Sequence, residues 1–191
     1  MGAKVLLVGS GFAFFYDPFL RSFIPINSQP SARSLHTATS MGTLGPVLIA
    51  GGFDNNNIAL NTAELFQPNQ FFNVGNMIDS RREHTATLLK TGKILIAGGM
   101  NNEGMILDRA ELFDADNEIF IPVSGRMTSA RYRHSAIQLS NGEVLITGGQ
   151  DANDSIGSSE IYSPVTDSFR SVGTMSMPRF GHTATELTAD I

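Results

Sequence analysis

Cysteine and tryptophan are both absent from the 191 residues. Without a thiol there is no disulfide staple, no cysteine nucleophile, no thiolate zinc site and no cofactor built on a cross-linked Cys. Positive charge is scarce as well: 13 Lys+Arg stand against 18 Asp+Glu, a formal net charge of −5, with no basic run. Nothing is laid out to neutralise a phosphate backbone, which argues against a nucleic-acid partner. No stretch approaches the roughly 20 apolar residues of a membrane span. Lys4 to Val8 leads into Gly9-Ser10-Gly11 and an apolar run to Phe15, yet no small-x-small cleavage site follows and the segment is not read as a signal peptide. The same glycines lack the third Gly and the helix of a dinucleotide fingerprint. These absences leave the cellular compartment open. What is present is 41% hydrophobic residues, enough for a packed core.

The main feature is self-similarity. All four histidines fall in Arg-x-x-His: Arg33 to His36, Arg81 to His84, Arg131 to His134 and Arg179 to His182, with the histidines 48, 50 and 48 residues apart. An apolar run then ends in two glycines, Gly51-Gly52, Gly98-Gly99 and Gly148-Gly149. A polar loop follows, then Ala63-Glu64-Leu65-Phe66, Ala110-Glu111-Leu112-Phe113 or Ser159-Glu160-Ile161-Tyr162, and then a second aromatic read at Phe72, Phe120 and Phe169. Met77, Met127 and Met175 each precede the next His by seven residues. Short β-branched and aromatic runs between Gly, Asn, Asp and Pro breaks predict four antiparallel strands per unit. One such sheet cannot bury both faces, so units must stack around an axis.

Period, double glycine, Ala-Glu-Leu-Phe strand and the Met before Arg-x-x-His resemble the kelch repeat in its bacterial form, similar to the central domain of galactose oxidases. The resemblance implies an all-β, kelch-type β-propeller spanning 1–191, with blades of four antiparallel strands at about 32–77, 80–127 and 130–175. A fourth, composite blade would join a C-terminal first strand (179–191) to three N-terminal strands (1–28). Closed ring, strand-exchanged homodimer of eight blades, and open arc or fragment of a longer kelch protein are all compatible with the sequence.

Strand alternation puts the arginines, the double glycines and the polar loops on one propeller face. The candidate ligand residues there are Arg33, Arg81, Arg131, Arg179, Asp54, Asn56, Asn102, Asp108, Asp151 and Asp154, the loop groups among them being suited to a sugar or a cation. Glu64, Glu111 and Glu160 lie two strand spacings from the arginines of their own units and predict a repeated ion pair. In the composite blade Phe14 stands where the Glu would be, leaving Arg179 as the arginine most available to an anion. His36, His84, His134 and His182 recur once per unit and are read as structural rather than as metal ligands. The glycines are read as positions of positive φ or close approach.

Enzymes on similar propellers need particular residues. Copper-radical oxidases resemble this fold but need a cysteine bonded to a tyrosine, which is lacking. Sialidases need a tyrosine nucleophile and Asp-box turns besides arginines. No catalytic set stands apart from the repeat. The expectation is a non-catalytic binding module for a protein or glycan, without cofactor, metal or membrane. The alternatives are a sialic-acid-mutarotase-like sugar enzyme and a structural fragment.

Overall fold

The computed structural model describes residues 4–43 and 45–187. They form fifteen strands in four antiparallel sheets, with no helix among the described residues. The head sheet is β1 (Val5–Gly9), β2 (Phe12–Asp17) and β3 (Ser22–Pro25). The second sheet is β4 (Thr37–Ser40), β5 (Val47–Ala50), β6 (Ala63–Phe66) and β7 (Phe71–Asn73). The third is β8 (Thr85–Leu88), β9 (Ile94–Ala97), β10 (Ala110–Asp114) and β11 (Ile119–Pro122). The fourth is β12 (Ser135–Gln138), β13 (Val144–Thr147), β14 (Ser158–Ser163) and β15 (Ser168–Thr174). Every connection within a sheet is between neighbours, so each unit is one propeller blade.

The blades stack through alternate residues of their middle strands. Leu6, Val8, Ala13 and Phe15 of the head meet Val47, Ile49 and Phe66. Leu48, Ala50 and Leu65 meet Ile94, Ile96 and Phe113, while Leu95, Ala97 and Ala110 meet Val144, Ile146 and Tyr162. Each blade thus has a leading face turned to the blade before it and a trailing face turned to the next. Ala50 and Ala97 put small side chains opposite large ones at these contacts. Innermost strands β4, β8 and β12 lie side by side across the blades.

Third-strand aromatics pack on fourth-strand ones, with centroid distances of 4.7 Å for Phe66–Phe71, 4.9 Å for Phe113–Phe120 and 5.1 Å for Tyr162–Phe169. This corrects the aromatic position of the first complete unit. Phe66 pairs with Phe71, and Phe72 is one residue on, facing the opposite side of the sheet.

The composite blade departs from expectation too. The head sheet has three strands, and β1 pairs with β2 alone among the described residues. The segment from Arg179 to Leu187 forms no strand there, although it docks on the fourth sheet as β8 docks on β4. The Arg179 carbonyl accepts from Gly149 N at 2.8 Å, as the Arg81 carbonyl does from Gly52 N at 2.8 Å. Among the described residues, head and tail therefore lie at the two ends of the stack and share no sheet; residues 1–3 and 188–191, which the expected composite blade includes, lie outside the described residues. The trailing side of the fourth sheet carries the Arg170–Glu143 ion pair at 3.0 Å.

Candidate functional site

The arginines of the repeat sit at the starts of the innermost strands and turn inward under the glycine pairs. Arg131 is 0% exposed; its Nη1 donates to the carbonyls of Gly148 and Ser158 at 2.8 and 2.9 Å, and its Nη2 to Glu160 at 2.7 Å. Arg81 repeats this with Gly98, Arg109 and Glu111, and Arg33 with Gly51, Thr62 and Glu64. The glutamates then accept from the backbone of the inter-blade linkers: Glu160 from Thr128 and Ser129, Glu111 from Ile78 and Asp79, Glu64 from Ser31. Burial pulls the Arg33 and Arg131 guanidiniums down from their ordinary value, and the paired carboxylates oppose it. These three arginines have no surface to offer a ligand and leave the candidate set. Arg179 is exposed, and no carboxylate pairs with it among the described residues.

Two of the histidines join blades. His84 Nε2 meets Thr37 Oγ1 at 3.0 Å and His134 Nε2 meets Thr85 Oγ1 at 2.8 Å. No group of three metal-ligating side chains occurs among the described residues. Burial, reinforced by the neighbouring Arg131, pushes His134 down to about 3, and burial with Arg81 holds His84 well below its ordinary value. A folded value below the unfolded one means the unfolded chain binds more protons below about pH 6.5, so stability is full above that pH and falls on acidification. The carboxylates whose values are lowered, among them Asp54, Glu143 and Asp151, start from 3.8 to 4.5 and act at lower pH. Thermal melts from pH 7.5 to 5 should therefore show a falling Tm, and His134→Gln should flatten that slope.

The polar loops hold themselves. Asp54 Oδ1 accepts from the amides of Asn56 and Ile58 at 2.8 and 2.9 Å, Asn101 Oδ1 from Glu103 and Met105, and Asp151 Oδ1 from Asn153 and Asp154. These are Asx turns, in which the acceptor faces its own loop. Asp108 pairs with Arg126 at 2.9 Å, Asp154 caps Ser155, and Asn102 accepts from Ala59 of the preceding blade. Of the loop candidates, Asn56 points its amide back at Asp54. The loops are rigid walls more than a set of convergent ligands.

Between the walls, at the inner ends of the blades, lie residues that sequence reasoning passed over. The position before each His has positive φ, at Leu35, Glu83, Arg133 and Gly181. Their backbones form a ladder from blade to blade: Glu83 N to Leu35 O at 3.1 Å, Arg133 N to Glu83 O at 3.0 Å, Gly181 N to Arg133 O at 2.8 Å. Arg133 bonds Glu83 at 2.7 Å and lies over the rings of Tyr132 and Phe180, 5.6 and 5.9 Å from their centroids; Arg82 lies over Phe53 at 5.8 Å. The signal was there in the two x positions of Arg-x-x-His, which differ from unit to unit inside an otherwise repeated frame.

Residues 131–176 match the family profile described as the Kelch motif. That unit is a kelch motif. No curated protein matches the chain. The matched kelch unit contains Arg131, Glu160 and the Gly148-Gly149 turn, so the buried ion pair belongs to the frame of the blade, and the inner mouth with Tyr132 and Arg133 is formed from its variable positions.

Proposed function

We propose that this kelch propeller is a non-catalytic interaction module whose inner mouth binds an acidic segment of a protein partner. The observation that carries the reading is the stacking of Arg133 over Tyr132 and Phe180 and of Arg82 over Phe53 at the inner ends of the blades, with Arg133 also paired to Glu83. That is a cationic, aromatic-lined patch on a chain of net charge −5. Its field attracts an acidic segment, and planar guanidiniums already stacked on rings lose little freedom in pairing with carboxylates. The buried arginines and histidines are all engaged in contacts repeated from blade to blade, which supports binding over catalysis.

The test is fluorescence anisotropy of the whole chain with labelled Asp/Glu-rich peptides against Asn/Gln isosteres, and with a glycan panel alongside. Acidic peptides should bind, the isosteres should not, and Arg133→Gln or Arg82→Gln should weaken binding at least about tenfold. Binding that ignores both substitutions, or is confined to glycans, would refute the proposal.

A further inference from the structure

A cleft of about 330 Å³ opens inside the stack, in the unit of the third sheet, which has a blade packed on each side. Its walls are the linker that enters the unit, with Ile78 and Asp79, then Arg109 with the first residues of β10, and the exit from β11, from Pro122 to Arg126.

The charges around this cleft belong to one unit only. Arg109 fills its place in the repeated frame through its backbone: its carbonyl accepts from Gly98 N and Arg81 Nη1 at 3.1 and 3.2 Å, as the Thr62 carbonyl does from Gly51 and Arg33, and the Ser158 carbonyl from Gly148 and Arg131. The Thr62 and Ser158 hydroxyls are turned to their buried arginines at 3.3 and 3.1 Å, whereas the Arg109 side chain is half-exposed at the cleft. Asp79 stands where the other linkers have Ser31 and Ser129, Asp108 where the other units have Asn61 and Gly157, and Arg126 where they have Asn76 and Thr174. A residue that the frame demands recurs in each unit; these four do not.

The aspartates orient the two guanidiniums and leave most of each one unused. Asp79 holds Arg109 Nη1 at 3.4 Å, and Asp108 holds Arg126 Nη1 at 2.9 and 3.2 Å. Nε and Nη2 of both arginines have no hydrogen-bond partner among the described residues. Exposed ion pairs of this kind are weak and yield to a better acceptor. Glu111, also on the cleft wall, is already taken by Arg81 and two linker amides. Ile78, 59% exposed, and the buried Val123 give the same cleft an apolar wall.

We propose that this cleft binds a carboxylate carried on an aliphatic group, with Arg109 and Arg126 pairing with the two oxygens and Ile78 and Val123 packing on the aliphatic part. Forked N–H donors match a planar two-oxygen anion. The volume is at the small end for a ligand site, that of a free organic acid or of the last residue of a peptide. The site is distinct from the inner mouth and does not rest on the reading given to it.

The experiment is calorimetric titration of the whole chain with N-acetyl-leucine and, as the uncharged control, N-acetyl-leucinamide. The acid should bind with a Kd between about 10 µM and 1 mM, and the amide should not. Arg109→Gln and Arg126→Gln should each weaken binding at least about tenfold with the circular dichroism unchanged, while Arg133→Gln at the inner mouth should leave it as it is. Should one of the two cleft variants not fold, the other decides. Titrations with 4-methylpentanoate and with a pentapeptide ending in leucine distinguish the two sources: tighter binding of the first assigns the site to a free acid, of the second to a peptide terminus. Absence of heat with N-acetyl-leucine, equal binding of the amide, or an affinity that falls with Arg133→Gln and not with the cleft variants would each overturn the proposal and leave the test of the inner mouth untouched.

Discussion

Glu160→Ala is expected to destabilise the chain by about 3–5 kcal/mol, read from urea unfolding. The carboxylate is 0% exposed and faces a guanidinium that is equally buried, so its removal leaves an uncompensated charge where water cannot reach it. Two backbone amides, Thr128 and Ser129, lose their acceptor in the same step. Glu160→Gln keeps an oxygen for those amides and should recover only part of the loss, since the positive charge of Arg131 stays unpaired. Removing both partners, as in Arg131→Met with Glu160→Leu, should cost less than the sum of the single changes, because neither leaves a buried charge behind.

Gly98→Ala should cost roughly 3 kcal/mol or more, measured as a drop in Tm. Its φ of +62° is unfavourable for any L side chain, and an added Cβ would stand 2.4 Å from the Arg131 carbonyl oxygen and 2.8 Å from His134 Cε1. Backbone on one side and a buried ring on the other leave nothing free to yield. Gly92→Ala is the control: φ is +84° there, but nothing lies within 4 Å of the added atom. It should lose only the conformational part, about 1–2 kcal/mol. Equal losses at the two sites would mean that the close approach between blades contributes nothing.

Arg33, Arg81 and Arg131, their glutamates and the double glycines were legible in the sequence because each contact is made three times over at the same spacing. Repetition separates a structural demand from chance. Phe71 and Phe72 show the limit of that method, since two adjacent phenylalanines satisfy the same composition while only the turn after Phe66 decides which one faces the core. Asp54 and Asp151 looked like open ligands because a sequence does not reveal that a carboxylate two residues before an amide will close on it. The inner mouth escaped for the opposite reason. Arg82, Tyr132, Arg133 and Phe180 differ from one unit to the next, and a search for sameness discards them. That head and tail share no sheet among the described residues depends on pairing between distant segments, which no one segment reveals.

The clasp in which the Arg81 carbonyl receives Gly52 of the blade before it, and the Arg131 carbonyl receives Gly99, has a further consequence. Each unit brings its own guanidinium, carboxylate and glycine turn, and presents to its successor the same socket it filled in its predecessor. Duplicating or deleting one unit therefore disturbs no joint except the one at the splice.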